Sequence, residues 1–144
     1  MSIADVMTVK IVSAEPTDSV AHTIQRMVDE DVGAIAVCEQ GRIVGIFSER
    51  DVLRLAAVSS SFTSRRVDEV MTRRLFAVAP DDDIVAVAHL MGERQIRHVP
   101  VVEDDRLLGI VSARDVMAAL VDRVWRSHDE RAHETALAIL QRSH

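Results

Sequence analysis

Gly45-Ile46-Phe47-Ser48-Glu49-Arg50-Asp51-Val52 and Gly109-Ile110-Val111-Ser112-Ala113-Arg114-Asp115-Val116 are one pattern written twice, 64 positions apart. Each reads as a short apolar strand running into a Ser, then into a helix whose first turn carries an Arg and an Asp. The offset extends well beyond the motif: Met7-Thr8 matches Met71-Thr72, Pro16 matches Pro80, Met27 matches Met91 and Val37 matches Val101. Residues 6–57 laid on 70–121 give 15 identities in 52 positions without a gap. Such self-similarity marks a duplicated structural unit and constrains the fold before any local motif does.

Each copy contains the same run of elements. In the first, residues 9–14 are rich in β-branched side chains and predict a strand. Glu15-Pro16-Thr17-Asp18 opens a helix, with Thr17 or Asp18 as the cap. Val20, Ile24, Met27 and Val28 then recur at helical spacing and predict one core face. Residues 34–38 and 43–48 read as two strands joined by the polar turn Glu39-Gln40-Gly41-Arg42, a β-hairpin. A helix follows Ser48. In the second copy, residues 75–79 and the hairpin strands 98–102 and 107–112 repeat the order. Pro80-Asp81-Asp82-Asp83 is its acidic helix start.

A β-α-β-β-α unit of about 50 residues buries too little surface to stand alone. The expected fold is therefore α+β of the α/β type: two repeats packed through their sheets with pseudo-two-fold symmetry. Residues 1–58 form the first repeat, 59–66 the linker, 67–121 the second repeat and 122–144 a C-terminal helical extension. Val116, Met117, Leu120, Val121 and Val124 make an apolar seam ending at Trp125. Helical character resumes over 134–141.

Composition narrows the function. Apolar residues make up 48% and charged residues 28%, the balance of a globular chain. The N-terminus has no basic stretch leading to an apolar one, and the lone Cys38 precludes an internal disulfide. A cytoplasmic protein is expected, with Cys38 a buried, inert thiol. The net charge of −6 and 3% aromatic content argue against general nucleic-acid binding. Six His residues invite a metal reading, but His22 and His89 have no second His or Cys as helical partner at i+3 or i+4, and His128 and His133 are five apart. Neither a Gly-x-Ser-x-Gly elbow nor a phosphate loop is present, so no enzyme is expected.

Taken together, the paired Met-Thr, the Pro before a helix, the Val99-Pro100-Val101-Val102 strand and the Gly-apolar-apolar-Ser-x-x-Asp motif resemble the cystathionine-β-synthase (CBS) domain pair, or Bateman module, over residues 3–121. The resemblance implies a regulatory module that binds AMP, ADP or ATP, or in some cases S-adenosylmethionine or NAD, and needs no resident cofactor. It also implies a homodimer that arranges four repeats in a flat disk, and a regulated protein partner. No membrane association is expected. The 23 residues beyond Val121 leave no room for a fused catalytic domain, so a stand-alone pair is expected.

Carried over by position, the resemblance implies two nucleotide sites. One comprises Arg97, His98, Ser112, Arg114 and Asp115, closed by Thr8 and Lys10. The other comprises Gly33, Ala34, Ser48, Arg50 and Asp51, closed by Thr72 and Arg74. Asp51 and Asp115 would accept the ribose hydroxyls. Gly33-Ala34 replaces Arg97-His98 in the first copy and offers no phosphate contact, so the Asp115 site ranks first.

The residues support this chemistry independently. A helix N-terminus carries unpaired N–H groups and partial positive charge, an Asp there stays ionised, and a neighbouring Arg presents planar donors to phosphate. A second reading of Ser-x-x-Asp stays open, since the same residues form a helix capping box. Its functional counterpart is a structural dimerisation or adaptor module without a working ligand site.

Overall fold

A computed structural model describes residues 1–7 and 11–142. The first repeat comprises β1 (Ser13–Ala14), α1 (Val20–Glu30), β2 (Ala34–Glu39), β3 (Arg42–Ser48) and α2 (Glu49–Val58). The second comprises α3 (Ile84–Arg94), β4 (His98–Glu103), β5 (Arg106–Ser112) and α4 (Ala113–Arg126), followed by α5 (Glu130–Arg142). β1 pairs parallel with β2, and β2 antiparallel with β3. β4 and β5 form the matching antiparallel hairpin, and β3 lies against β5.

The duplication reaches fine detail. Both hairpins turn on two residues with positive φ, Gln40-Gly41 at 52° and 79° and Asp104-Asp105 at 51° and 63°. That sign at both positions matches the right-handed twist of the flanking strands. Each hairpin shifts register once, between Val37 and Cys38 and between Val101 and Val102. The carboxylates of Asp18 and Asp82, 64 residues apart, each accept the N–H three residues back, from Glu15 at 2.9 Å and Ala79 at 2.8 Å.

Local chemistry corrects several expectations. The α1 cap is Ser19, whose Oγ accepts from His22 N at 3.1 Å; Asp18 instead closes the preceding turn. Val28 is 68% exposed, and Thr23 takes a core position. Burial of Thr23 is tolerated because its hydroxyl donates to Ser19 O at 2.9 Å. The first strand is regular only at Ser13–Ala14 among the described residues. Its counterpart at 75–79 shrinks to a single parallel bridge, Val78 to Val101, where Val78 N donates to Pro100 O at 3.0 Å. Cys38 is half-buried, and burial raises its thiol pKa.

The two cores are exchanged at their edges. Ile3, in the 3₁₀ turn Ile3–Asp5, is fully buried among Ile84, Val99 and Val111 of the second repeat. Ile3 N donates to Asp82 O, and Ile84 N to Met1 O. Reciprocally, Val67 and Met71 after the linker complete the first repeat's core with Val20, Ile35 and Phe47. Val20 N donates to Arg65 O and Val67 N to Asp18 O, both at 2.8 Å. Each repeat is thus closed by the N-terminal segment of the other. Beyond Val116, which is buried, Leu120 of the α4 seam packs against the second core while Met117 and Val121 face outward, 66% and 59% exposed. No helix of the described residues is long and apolar enough to cross a membrane.

Candidate functional site

The two strand-to-helix corners are built alike and used differently. In the first, Ser48 caps α2 and Asp51 reciprocates, with Ser48 N donating to Asp51 Oδ2 at 2.9 Å. The other oxygen, Oδ1, accepts from Thr72 Oγ1 at 3.5 Å. Thr72 is held there by its backbone, which exchanges two 2.9 Å hydrogen bonds with Ile46 of β3. In the second corner, Ser112 Oγ accepts from Asp115 N at 3.0 Å, but the Asp115 carboxylate does not return to Ser112 N. Both carboxylates are half-buried. That of Asp115 is therefore the one whose oxygens are not taken by a cap.

Between the repeats lies a cleft of about 730 Å³. The second repeat lines it with Arg97, His98, Ser112, Arg114 and Asp115. The first repeat supplies Gly33, Ala34 and Glu49, and Ile11 and Val12 form part of the wall. The structure thus groups Gly33 and Ala34 with Asp115, whereas sequence position paired them with Asp51. The reason is the pseudo-symmetry: the β2 and β4 entrances face each other across one space. Arg50 lines a different hollow, against Met91, Gly92 and Leu120 of the second repeat. Arg74 is exposed. Thr8 and Lys10 lie outside the described residues.

One cleft residue, Glu49, escaped the sequence reading. Its backbone N–H donates to Gly33 O at 3.0 Å, as Ala113 N does to Arg97 O at 2.7 Å. The two junctions share a hydrogen bond and exchange side chains: small strand residue with acidic helix residue in one, basic with small in the other. A Cβ on Gly33 would lie 2.6 Å from Glu49 Oε1 and 3.5 Å from His98 Nε2. The Glu49 carboxylate and the His98 imidazole therefore both border the space over Gly33. The available signal was the pairing of Gly33 with Glu49 against Arg97 with Ala113 at an offset of 64.

His98 is half-buried on β4, and its pKa lies below the ordinary value. Burial is the main cause; Glu49 opposes it, Arg97 reinforces it, and Asp115 and Asp51 oppose it. The net result is a neutral ring near pH 7, able to donate from one nitrogen and accept at the other. A carboxylate acceptor, a neutral imidazole, guanidinium donors and apolar walls together suit a polar heterocycle joined to a sugar. Among the described residues, no group of three or more His, Cys, Asp or Glu is placed to hold a metal ion.

Comparison with known proteins agrees with this architecture. The CBS domain family matches twice, over residues 3–58 and 67–122. A mitochondrial CBS domain-containing protein of Arabidopsis thaliana is 35% identical over 133 residues, 83% of this chain and 65% of the relative. The chain thus spans about two thirds of that relative's length. The crystal structure of the CBS-domain protein ATU1752 from Agrobacterium tumefaciens superposes with a TM-score of 0.78 at 27% identity, covering 83% of this chain and 98% of that one. The CBS domain pair of protein MJ0100, in complex with 5′-methylthioadenosine and S-adenosyl-L-methionine, gives 0.78 at 22% identity, covering 85% and 98%. The chain belongs to the CBS domain family and carries two CBS repeats.

Proposed function

We propose that this chain is a regulatory module that holds an adenosine nucleotide in the cleft between its repeats and passes occupancy to a protein partner. The observation that carries this reading is the single cleft in which Arg97, His98, Ser112 and Asp115 converge with Gly33 and Ala34. Its volume of about 730 Å³ falls in the range of small-molecule sites. The Asp115 carboxylate, not committed to a cap, accepts the ribose hydroxyls, and small residues opposite leave room for the base. The MJ0100 pair, of the same fold, binds adenosine compounds. Recognition is the task this reading assigns, since the Ser112 hydroxyl, the one hydroxyl among the described cleft residues, is engaged in capping α4.

The test is thermal melting of the full chain with AMP, ADP, ATP, NAD and S-adenosylmethionine. A ligand at about 100 times its dissociation constant stabilises the folded state by about 2.7 kcal/mol. A raised melting temperature with at least one of them supports the reading. No shift with any favours the adaptor alternative, for which the exposed Met117, Val121 and Val124 of α4 would be the working surface. Dimerisation belongs to both readings. It draws support from Leu53 on α2, 72% exposed at the position that matches Met117, and is checked by light scattering.

A further inference from the structure

The two strand-to-helix junctions that meet at the cleft differ in charge. Where the second repeat has Ala113 at the start of its helix, the first has Glu49. The residue opposite is reduced to Gly33, whose absent side chain leaves the space the carboxylate fills. Glu30, Asp31 and Asp115 line the same cleft, as do Arg97 and Arg114. After burial, the Glu49 carboxylate is the main influence on His98, favouring its charged form. Its carboxylate therefore acts on the cleft interior.

We infer that Glu49 is a specificity-determining residue of this cleft, selecting adenosine ligands whose 5′ substituent is uncharged or cationic over those bearing a polyphosphate. This rests on the nucleotide-binding reading above and refines it. A 5′ substituent held beside Gly33 lies within about a Debye length, ~8 Å, of the Glu49 carboxylate. Each added phosphate charge is repelled, a sulfonium is attracted, and a thioether is indifferent. The helix N-termini that would otherwise favour phosphate are partly occupied, by the Ser48–Asp51 box on α2 and by the Ser112 hydroxyl on α4.

Isothermal titration of the full chain with S-adenosylmethionine, 5′-methylthioadenosine, AMP, ADP and ATP, without added divalent cation, tests the assignment. The wild type is expected to bind the sulfonium and thioether compounds more tightly than ADP and ATP. Glu49→Gln should raise the ratio of ATP affinity to S-adenosylmethionine affinity about tenfold, with 5′-methylthioadenosine unchanged as the uncharged control. Glu49→Ala, which installs the residue of the second repeat, should act in the same direction. Tighter binding of ATP than of S-adenosylmethionine by the wild type, or an unmoved ratio in both variants, would overturn the role of Glu49 and leave the nucleotide reading intact. Failure of all five compounds to bind would overturn both.

Discussion

Ser48 and Asp51 lock the start of α2 reciprocally: Ser48 N donates to Asp51 Oδ2 at 2.9 Å, and Asp51 N donates to Ser48 Oγ at 3.4 Å. Thr72, from beyond the linker, adds a hydroxyl to the same carboxylate. The matching Asp115 lacks the return bond. Removing a capping side chain costs about 1 kcal/mol. Asp51→Ala should therefore lower the melting temperature by about 3 °C without ligand. Asp115→Ala should change unliganded stability by less than about 0.5 kcal/mol and abolish the nucleotide-induced shift. Melting curves of both variants, with and without nucleotide, check the pair. If Asp115→Ala melts as low as Asp51→Ala and still responds to nucleotide, the second corner is a cap as well.

The exchanged edges make the two repeats one folding unit. Ile3 is fully buried in the second repeat's core although it belongs to the first repeat in sequence. An Ile→Ala change at such a site costs about 2–5 kcal/mol, and Ile→Val about 0.5–1.5. Ile3→Ala is expected at the upper end of its range, because the 3₁₀ turn also gives up its hydrogen bonds to Asp82 and Pro80 when it detaches. Urea denaturation followed by circular dichroism should show one transition at lower midpoint for Ile3→Ala. Two separate transitions would contradict the mutual closure.

The repeat offset made much of this architecture legible, because a duplicated unit has to bury the same positions twice. The hairpins, the helix after Ser48 and the corner at Asp115 follow from aligned residues alone. What escaped depends on relations that periodicity does not carry. Ser19 displaced Asp18 as a cap because Asp18 already serves Glu15 N. Thr23 displaced Val28 because a hydroxyl that bonds the preceding turn can be buried. The strand at 75–79 needed more partners than the single bridge at Val78 provides. Gly33 and Ala34 read as the poor half of one site because sequence order places them beside Asp51. In space they form the opposite wall of the Asp115 cleft.

Two glycines should respond oppositely to a methyl group. At Gly45, a Cβ would press on the Met71 side chain, with Cγ at 2.8 Å, where both residues are buried in the first repeat. Overpacking of this kind costs about 1–3 kcal/mol. At Gly33, the obstructing atom is the tip of Glu49, an exposed side chain that can swing aside. Gly33→Ala should leave stability within about 0.5 kcal/mol and instead alter ligand binding, by displacing the carboxylate. Equilibrium unfolding of Gly45→Ala and Gly33→Ala, with titration of the latter, separates the two. A large loss of stability in Gly33→Ala would mean that Glu49 is held rigidly in place.

His98 gives the protein a defined pH response. Its folded pKa lies below the ordinary 6.5, chiefly through burial. Above 6.5 the ring is neutral in both folded and unfolded chains and contributes no slope. As the pH falls from 6.5 toward the lower folded value, the unfolded chain binds a proton that the folded one refuses, so stability declines through that window. Below the folded value the contribution is constant again. His98→Gln keeps a polar side chain of similar reach and removes the titration. Its melting temperature should therefore fall less than that of the wild type between about pH 7.5 and pH 5. The other ionisable groups are common to both proteins and cancel to first order. A steeper fall in the variant would mean that Glu49, Asp115 and Asp51 outweigh burial and that the folded state favours the imidazolium.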